Sequence, residues 1–178
     1  MTYEQCKHYL DPFPLNQVSE IAKENLCFSD EVRQICESNG CGRYGKTWMC
    51  PPGVGAVADW KERIMAYRHA VLFNYVDRIE DSFDFEGMMK IGHDFSAIIR
   101  KVKNDLERDG ADFLIFGAGS CQLCQTCTYP DAPCRRPNEA IPSVEACGLY
   151  VAKMAEPCGF RYINGQNTVT YFGLIMFH

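Results

Sequence analysis

The spacing of apolar residues predicts helices over much of the chain. Apolar side chains recur every three or four residues over 85–108, which predicts one long amphipathic helix. The same spacing predicts helices over 15–26 and 57–67. A shorter helix from about 30 to 38 is predicted to begin after Ser29, because serine is a favourable N-cap residue.

Three short apolar runs predict strands at 70–76, 112–116 and 168–177, each rich in β-branched or aromatic residues. The first two runs flank the long helix, so they are expected to form a right-handed βαβ unit with parallel strands. We therefore predict an α/β fold: a small mixed sheet of about four strands, with helices packed on it and two cysteine-rich loops.

The length of 178 residues fits a single domain, and a chain of this size buries about 70% of its unfolded surface. No repeat, low-complexity tract or linker divides it. Residues 1–25 are expected to form an N-terminal extension with a helix, and 36–55 and 117–137 two irregular loops. Ser143 is expected to cap a further helix that runs to about Met154.

Composition narrows the possible functions. The chain is 47% apolar and 23% charged, as is typical of globular proteins, and its net charge of −5 disfavours nucleic-acid binding, which needs a basic surface. No apolar run approaches the ~20 residues that cross a membrane, and the first residues contain no apolar stretch as long as a signal peptide needs. We therefore expect a cytoplasmic protein that binds neither nucleic acid nor membranes.

Eleven cysteines are the strongest chemical signal in the sequence, and most of them lie in the two loops. Disulfides are rare in a reducing compartment, so clustered cysteines are expected to bind metal. The second loop contains C-x2-C-x2-C-x6-C, similar to the bacterial ferredoxin run C-x2-C-x2-C-x3-C-P. The candidate ligands are Cys36, Cys41, Cys50, Cys121, Cys124, Cys127 and Cys134.

The type of metal follows from the kind of ligand. Iron–sulfur clusters favour all-thiolate ligation by closely spaced cysteines, whereas structural zinc sites more often use two C-x2-C pairs or include histidine. Neither loop contains a histidine, and the four histidines of the chain are scattered singly: His8, His69, His93 and His178. We therefore favour one or two 4Fe–4S clusters, with zinc as the less favoured alternative.

Two four-iron clusters need eight thiolates, and Cys147 is the candidate for the eighth. In two-cluster ferredoxins the fourth cysteine of each run ligates the other cluster. By that analogy Cys134 would complete the upstream set, and the downstream set would take Cys147 or leave one iron open to substrate. The remaining cysteines are expected to be packing residues: Cys6, Cys27 and Cys158.

Several motifs together resemble a known family. They are Cys41-Gly-Arg-Tyr-Gly-Lys-x-x-Met-Cys50-Pro-Pro, the segment from Gly117 to Cys127, Pro-Cys134-Arg-x-Pro, and Pro142-Ser-Val-Glu-Ala-Cys-Gly. They are similar to an uncharacterised family of predicted metal-binding proteins, found mainly in anaerobic bacteria and archaea. The resemblance covers about residues 26–178 and implies metal binding through the same seven cysteines, but no particular activity.

Our first functional hypothesis is an iron–sulfur protein that transfers electrons, as a carrier or as an accessory to a redox enzyme with a partner protein. The second is an enzyme of lyase or desulfurase type that uses an open cluster iron as a Lewis acid. Its nearest candidate acid–base residues are Tyr44, Lys46 and Glu145, without a visible catalytic pair. The third is a zinc-stabilised interaction module.

Overall fold

The structure is a computed structural model that describes all residues, Met1–His178. Its main elements are α1 (Tyr3–Leu10), β1 (Gln17–Glu20), α2 (Asp30–Glu37), α3 (Val57–Ala66), β2 (His69–Arg78), α4 (Phe85–Arg108), β3 (Phe113–Phe116), α5 (Val151–Ala155) and β4 (Thr168–Phe177). Short 3-10 helices lie at Lys23–Asn25, Glu145–Cys147 and Glu156–Cys158. None of the helices has both the length and the apolar composition needed to span a bilayer.

The strands form one sheet in the order β1-β2-β4-β3, and every pair of neighbours is antiparallel. β2 pairs with β4 over its whole length, from His69 opposite Phe177 to Arg78 opposite Thr168. Because β2 and β3 are both antiparallel to β4, they run parallel to each other and α4 connects them. The predicted α/β class and four-strand sheet are confirmed, but β4 separates the two strands of the βαβ unit, so the sheet is antiparallel rather than mixed.

Both faces of the sheet are covered, which explains why β4 is almost continuously apolar. Leu174 and Met176 belong to a core cluster that includes residues of α3 and α5. The intervening Ile175 and Phe177 belong to a second cluster with residues of α1 and α4. A strand with apolar residues on both faces is best placed in the covered centre of the sheet, between β2 and β3.

The predicted helix over 15–26 is wrong. Residues Gln17–Glu20 form the edge strand β1, in which Val18 lies opposite Phe73 of β2. The N–H of Ile21 donates to the carbonyl of Ala70 at 2.9 Å, which continues the pairing. Val18 and Ile21 pack against opposite core clusters, so pairing with β2 satisfies the backbone, buries Ile21 and partly buries Val18. Residues 1–25 therefore contribute α1 and β1 to the common core.

The other predicted elements lie where the sequence indicates. The limits of α4 and β4 agree with the prediction to the residue, and the Ser29 hydroxyl caps α2 by accepting from the Glu31 N–H. The helix predicted from Ser143 is interrupted, because Gly148 has a φ of +87° and breaks the helical backbone. A Cβ at that position would lie 2.5 Å from a methyl carbon of Val57, so only glycine fits there.

The close packing of β4 at Gly173 predicts the effect of a substitution on stability. A Cβ added to Gly173 would lie 2.3 Å from Cζ of Phe73, so we expect Gly173→Ala to destabilise the fold by ~1–3 kcal/mol through overpacking. Urea unfolding of the metal-free protein measures the effect as a lower midpoint. Gly40→Ala is the matched control, since a Cβ there meets no atom within 4 Å. Equal midpoints for the two variants would contradict this packing.

Candidate metal centre

Four cysteines of the second loop face one small cavity. Cys121, Cys124, Cys127 and Cys134 line it, together with residues that include Trp48 of the first loop. Burial raises the pKa of the Cys121 thiol, and the other three thiols of the set raise it further. This mutual effect is the repulsion expected between neighbouring groups that ionise to the same charge. The downstream cysteines therefore form one set around a shared space.

Cys134 lies with this downstream set, whereas the crossed arrangement predicted from ferredoxins would place it with the upstream one. The six residues before it fold back on themselves, since the Thr128 hydroxyl donates to the Pro133 carbonyl at 2.8 Å. The guanidinium of Arg135 then donates to the Thr126 carbonyl at 2.9 Å. These local hydrogen bonds hold Cys134 close to the earlier cysteines of its own loop.

The three upstream cysteines form a second set. Cys36 lies in the last turn of α2, Cys41 is exposed and Cys50 is buried. Burial raises the pKa of Cys36 and of Cys50, and the thiol of Cys41 raises both further. The turn between Cys41 and Cys50 needs glycine at position 45, where φ is +66° and the N–H donates to the Pro51 carbonyl at 2.8 Å. The loop thereby brings the three thiols together.

The two loops contact each other, so the two sets are adjacent. Trp48 of the first loop donates its indole N–H to the Ala132 carbonyl at 3.1 Å, and its ring packs edge-on against Tyr129 at 4.9 Å. Among the thiols that raise the pKa of Cys50 is Cys127 of the other set, after the larger effect of burial. The two cysteine sets therefore lie next to each other in the fold, although their members come from distant parts of the sequence.

Several hydrogen-bond donors around this centre have no oxygen or nitrogen acceptor. Thr47 is only 4% exposed, and its hydroxyl has no such partner. Burial raises the pKa of Cys50, and the neighbouring Thr47 hydroxyl opposes that effect; the Leu123 N–H does the same for Cys121. No N–H of residues 118–127 donates to a backbone carbonyl. A hydroxyl and an N–H beside two of the thiols suit an anionic thiolate-ligated group, so the residues present fit one.

The cysteines do not converge on a single point. No three or more histidine, cysteine, aspartate or glutamate side chains form a group that could hold one metal ion. A tetrahedral zinc site, with Zn–S bonds of about 2.3 Å, brings its sulfurs to within about 4 Å of one another. A four-iron cluster is several atoms across and separates its ligands further. The thiols of the downstream set therefore line a shared space without meeting at one point.

Cys147 lies apart from both sets. It is fully buried in the core cluster that contains α3 and α5, and burial raises its pKa well above the usual range. The charged groups that act on it are Arg33, Arg63 and Glu145, with no cysteine among them. Its role as an eighth ligand stays a prediction.

The three candidate acid–base residues form no pair. Burial raises the pKa of Glu145, whose charge acts on Cys36 and on Cys147. Tyr44 and Lys46 lie on the first loop, and their side chains make no hydrogen bond within the protein. No catalytic residue is assigned.

Sequence reasoning missed Thr47 and Trp48, although both lie between two candidate ligands, Cys41 and Cys50. A hydroxyl three residues before a cysteine is a weak local signal, since it matters only when the turn buries it. The contact between Trp48 and Ala132 spans 84 residues, and no local pattern reports it.

Comparison with known proteins shows that the chain belongs to a family of predicted metal-binding proteins. The family model described as "Predicted metal-binding protein (DUF2284)" matches residues 19–177. The matched range contains both cysteine loops and all seven clustered cysteines, and leaves out α1 and the start of β1. No curated protein and no solved structure matches the chain.

The burial of Cys6 and Cys147 predicts their reactivity. Burial raises the pKa of Cys6 to about 12 and that of Cys147 well above normal, so at pH 8 both remain protonated and poorly nucleophilic. We expect iodoacetamide to modify exposed Cys41 in folded, metal-free protein and to leave these two unmodified, as peptide mass spectrometry would show. In urea all eleven cysteines should react. Modification of Cys147 as fast as Cys41 in the folded protein would contradict its core position.

Proposed function

Because the chain belongs to the DUF2284 family of predicted metal-binding proteins, we propose that it is an iron–sulfur protein that transfers electrons. The observation that carries the proposal is the cavity lined by four cysteines, with the Leu123 N–H beside the Cys121 sulfur. One 4Fe–4S cluster would be held by Cys121, Cys124, Cys127 and Cys134. The candidate ligands of a second are Cys36, Cys41 and Cys50.

The ligand type favours iron and sulfide over zinc. Every candidate ligand in the two loops is a cysteine, and neither loop contains a histidine. The Thr47 hydroxyl and the Leu123 N–H lie beside ligand sulfurs, where such donors help to set the reduction potential of a cluster. A purely structural zinc site has no need of a tuned potential.

The position of the centre suits exchange of electrons with a partner protein. Cys41 is exposed, so the upstream set reaches the surface. Arg43, Lys46 and Arg135 are exposed around the same loops of a protein whose net charge is −5. A local basic surface on an acidic protein attracts an acidic partner and orients it. When bound, a cluster supplies one-electron redox chemistry close to this surface.

Metal analysis of protein purified without exposure to air tests the proposal. We expect iron and sulfide in equal amounts, about four of each for every cluster, and a half-integer-spin EPR signal after reduction. Cys124→Ala should lower the iron content, whereas Cys158→Ala, outside both sets, should leave it unchanged. With two clusters present, Cys41→Ala should remove about half of the iron. Zinc without sulfide would overturn the proposal in favour of an interaction module.

The Thr47 hydroxyl provides a second test. Thr47→Val removes a donor beside Cys50, and donors to sulfur stabilise the more negative, reduced state of a cluster. We therefore expect a more negative reduction potential in an EPR-monitored redox titration, and a return toward the original value in Thr47→Ser.

Thr128→Val is the matched control for this change. Thr128 lines the cysteine cavity, but its hydroxyl already donates to the Pro133 carbonyl, so its loss removes no contact with sulfur. The same potential in Thr47→Val and the unmodified protein would show that the hydroxyl does not act on the cluster.

A further inference from the structure

A groove of about 630 Å³ opens beside the cysteine centre. Its volume lies within the ~300–1,000 Å³ typical of small-molecule sites, and its walls are mostly apolar. Trp48, Met49 and Cys134 line both the groove and the cavity that the downstream cysteines share. A molecule in the groove would therefore contact a candidate metal ligand.

Two charged side chains give this groove its polarity. The guanidinium of Arg63 lies 4.2 Å above the ring of Trp60 and forms no hydrogen bond or ion pair with the protein. Stacking on an indole fixes the plane of a guanidinium and leaves its N–H edge available to a carboxylate. Asp131 is the one acidic residue in the lining, and it also has no ion-pair partner.

These two charges define the class of ligand. A carboxylate can pair with Arg63 through two parallel hydrogen bonds, the strongest arrangement that arginine offers. The apolar part of the same molecule would cover the tryptophans and the prolines of the walls. A second negative charge would meet Asp131 and be repelled, so the groove selects against dianions.

We propose that this groove binds a small organic monocarboxylate, with its carboxylate on Arg63 and its apolar body on Trp48 and Trp60, beside Cys134. The inference deepens the proposed function, because it places a small molecule in contact with the metal centre. It rests on that function only for the presence of a cluster at Cys134. Binding in the groove itself depends on the protein walls.

Tryptophan fluorescence reads out the groove directly, since the chain contains two tryptophans and both line it. We would titrate anaerobically purified protein with 3-phenylpropionate, using 3-phenylpropionamide as the neutral probe and phenylsuccinate as the dianion. The expected result is saturable binding of the monocarboxylate and weaker binding of the other two. Absence of a saturable change, or equal binding of the acid and the amide, would overturn the proposal.

Arg63→Gln should weaken binding of 3-phenylpropionate about tenfold or more, the order expected when a charge-assisted pair is lost. Arg68→Gln is the matched control, because Arg68 is exposed two residues after the end of α3 and does not line the groove. Equal weakening in both variants would overturn the assignment to Arg63.

Iron and sulfide are measured in the same samples, which separates the two proposals. Binding of the probe to protein without a cluster supports the groove and contradicts the iron–sulfur function. A cluster-containing protein that does not bind the probe overturns the groove and leaves the iron–sulfur function standing.

Discussion

Placing two sets of thiols in adjacent loops is the electrostatic constraint on which the rest of the structure depends. Burial raises the pKa values of Cys36, Cys50 and Cys121, and repulsion from neighbouring thiols raises them further. Three neighbouring groups lower these pKa values again: the Arg33 guanidinium near Cys36, the Thr47 hydroxyl near Cys50 and the Leu123 N–H near Cys121. A cationic metal group would supply the remaining compensation, which is why the loops suit one.

The sheet and its helices hold the two loops in place. The first loop lies between α2 and α3, and the second follows β3, whose partner β4 is covered on both faces. Trp48 then links the loops through Ala132 and Tyr129. Each cysteine loop is thus held by the elements of the sheet and helices that flank it and by contacts with the other loop.

Local sequence patterns predicted the secondary structure correctly where the spacing of apolar residues fitted only one kind of element. Residues 85–108 have apolar positions that fit only a helix, and the sequence defined both of its ends. Over 15–26 the spacing fits a helix or an edge strand, and pairing with β2 decided between them. Three features depend on contacts between distant segments, so no local pattern predicts them. They are the position of β4 in the sheet, the position of Cys134 beside the other cysteines of its loop, and the groove lined by residues between 48 and 142.

The position of β4 has a consequence for biosynthesis. The strand follows both cysteine loops in the sequence, yet it forms the centre of the sheet and is the only partner of β3. A ribosome therefore releases both loops before the sheet that supports them can close. Until then the nascent chain carries reactive thiols on an unfinished scaffold. Metal that needs the preformed site would therefore bind only after β4 has paired with β2 and β3.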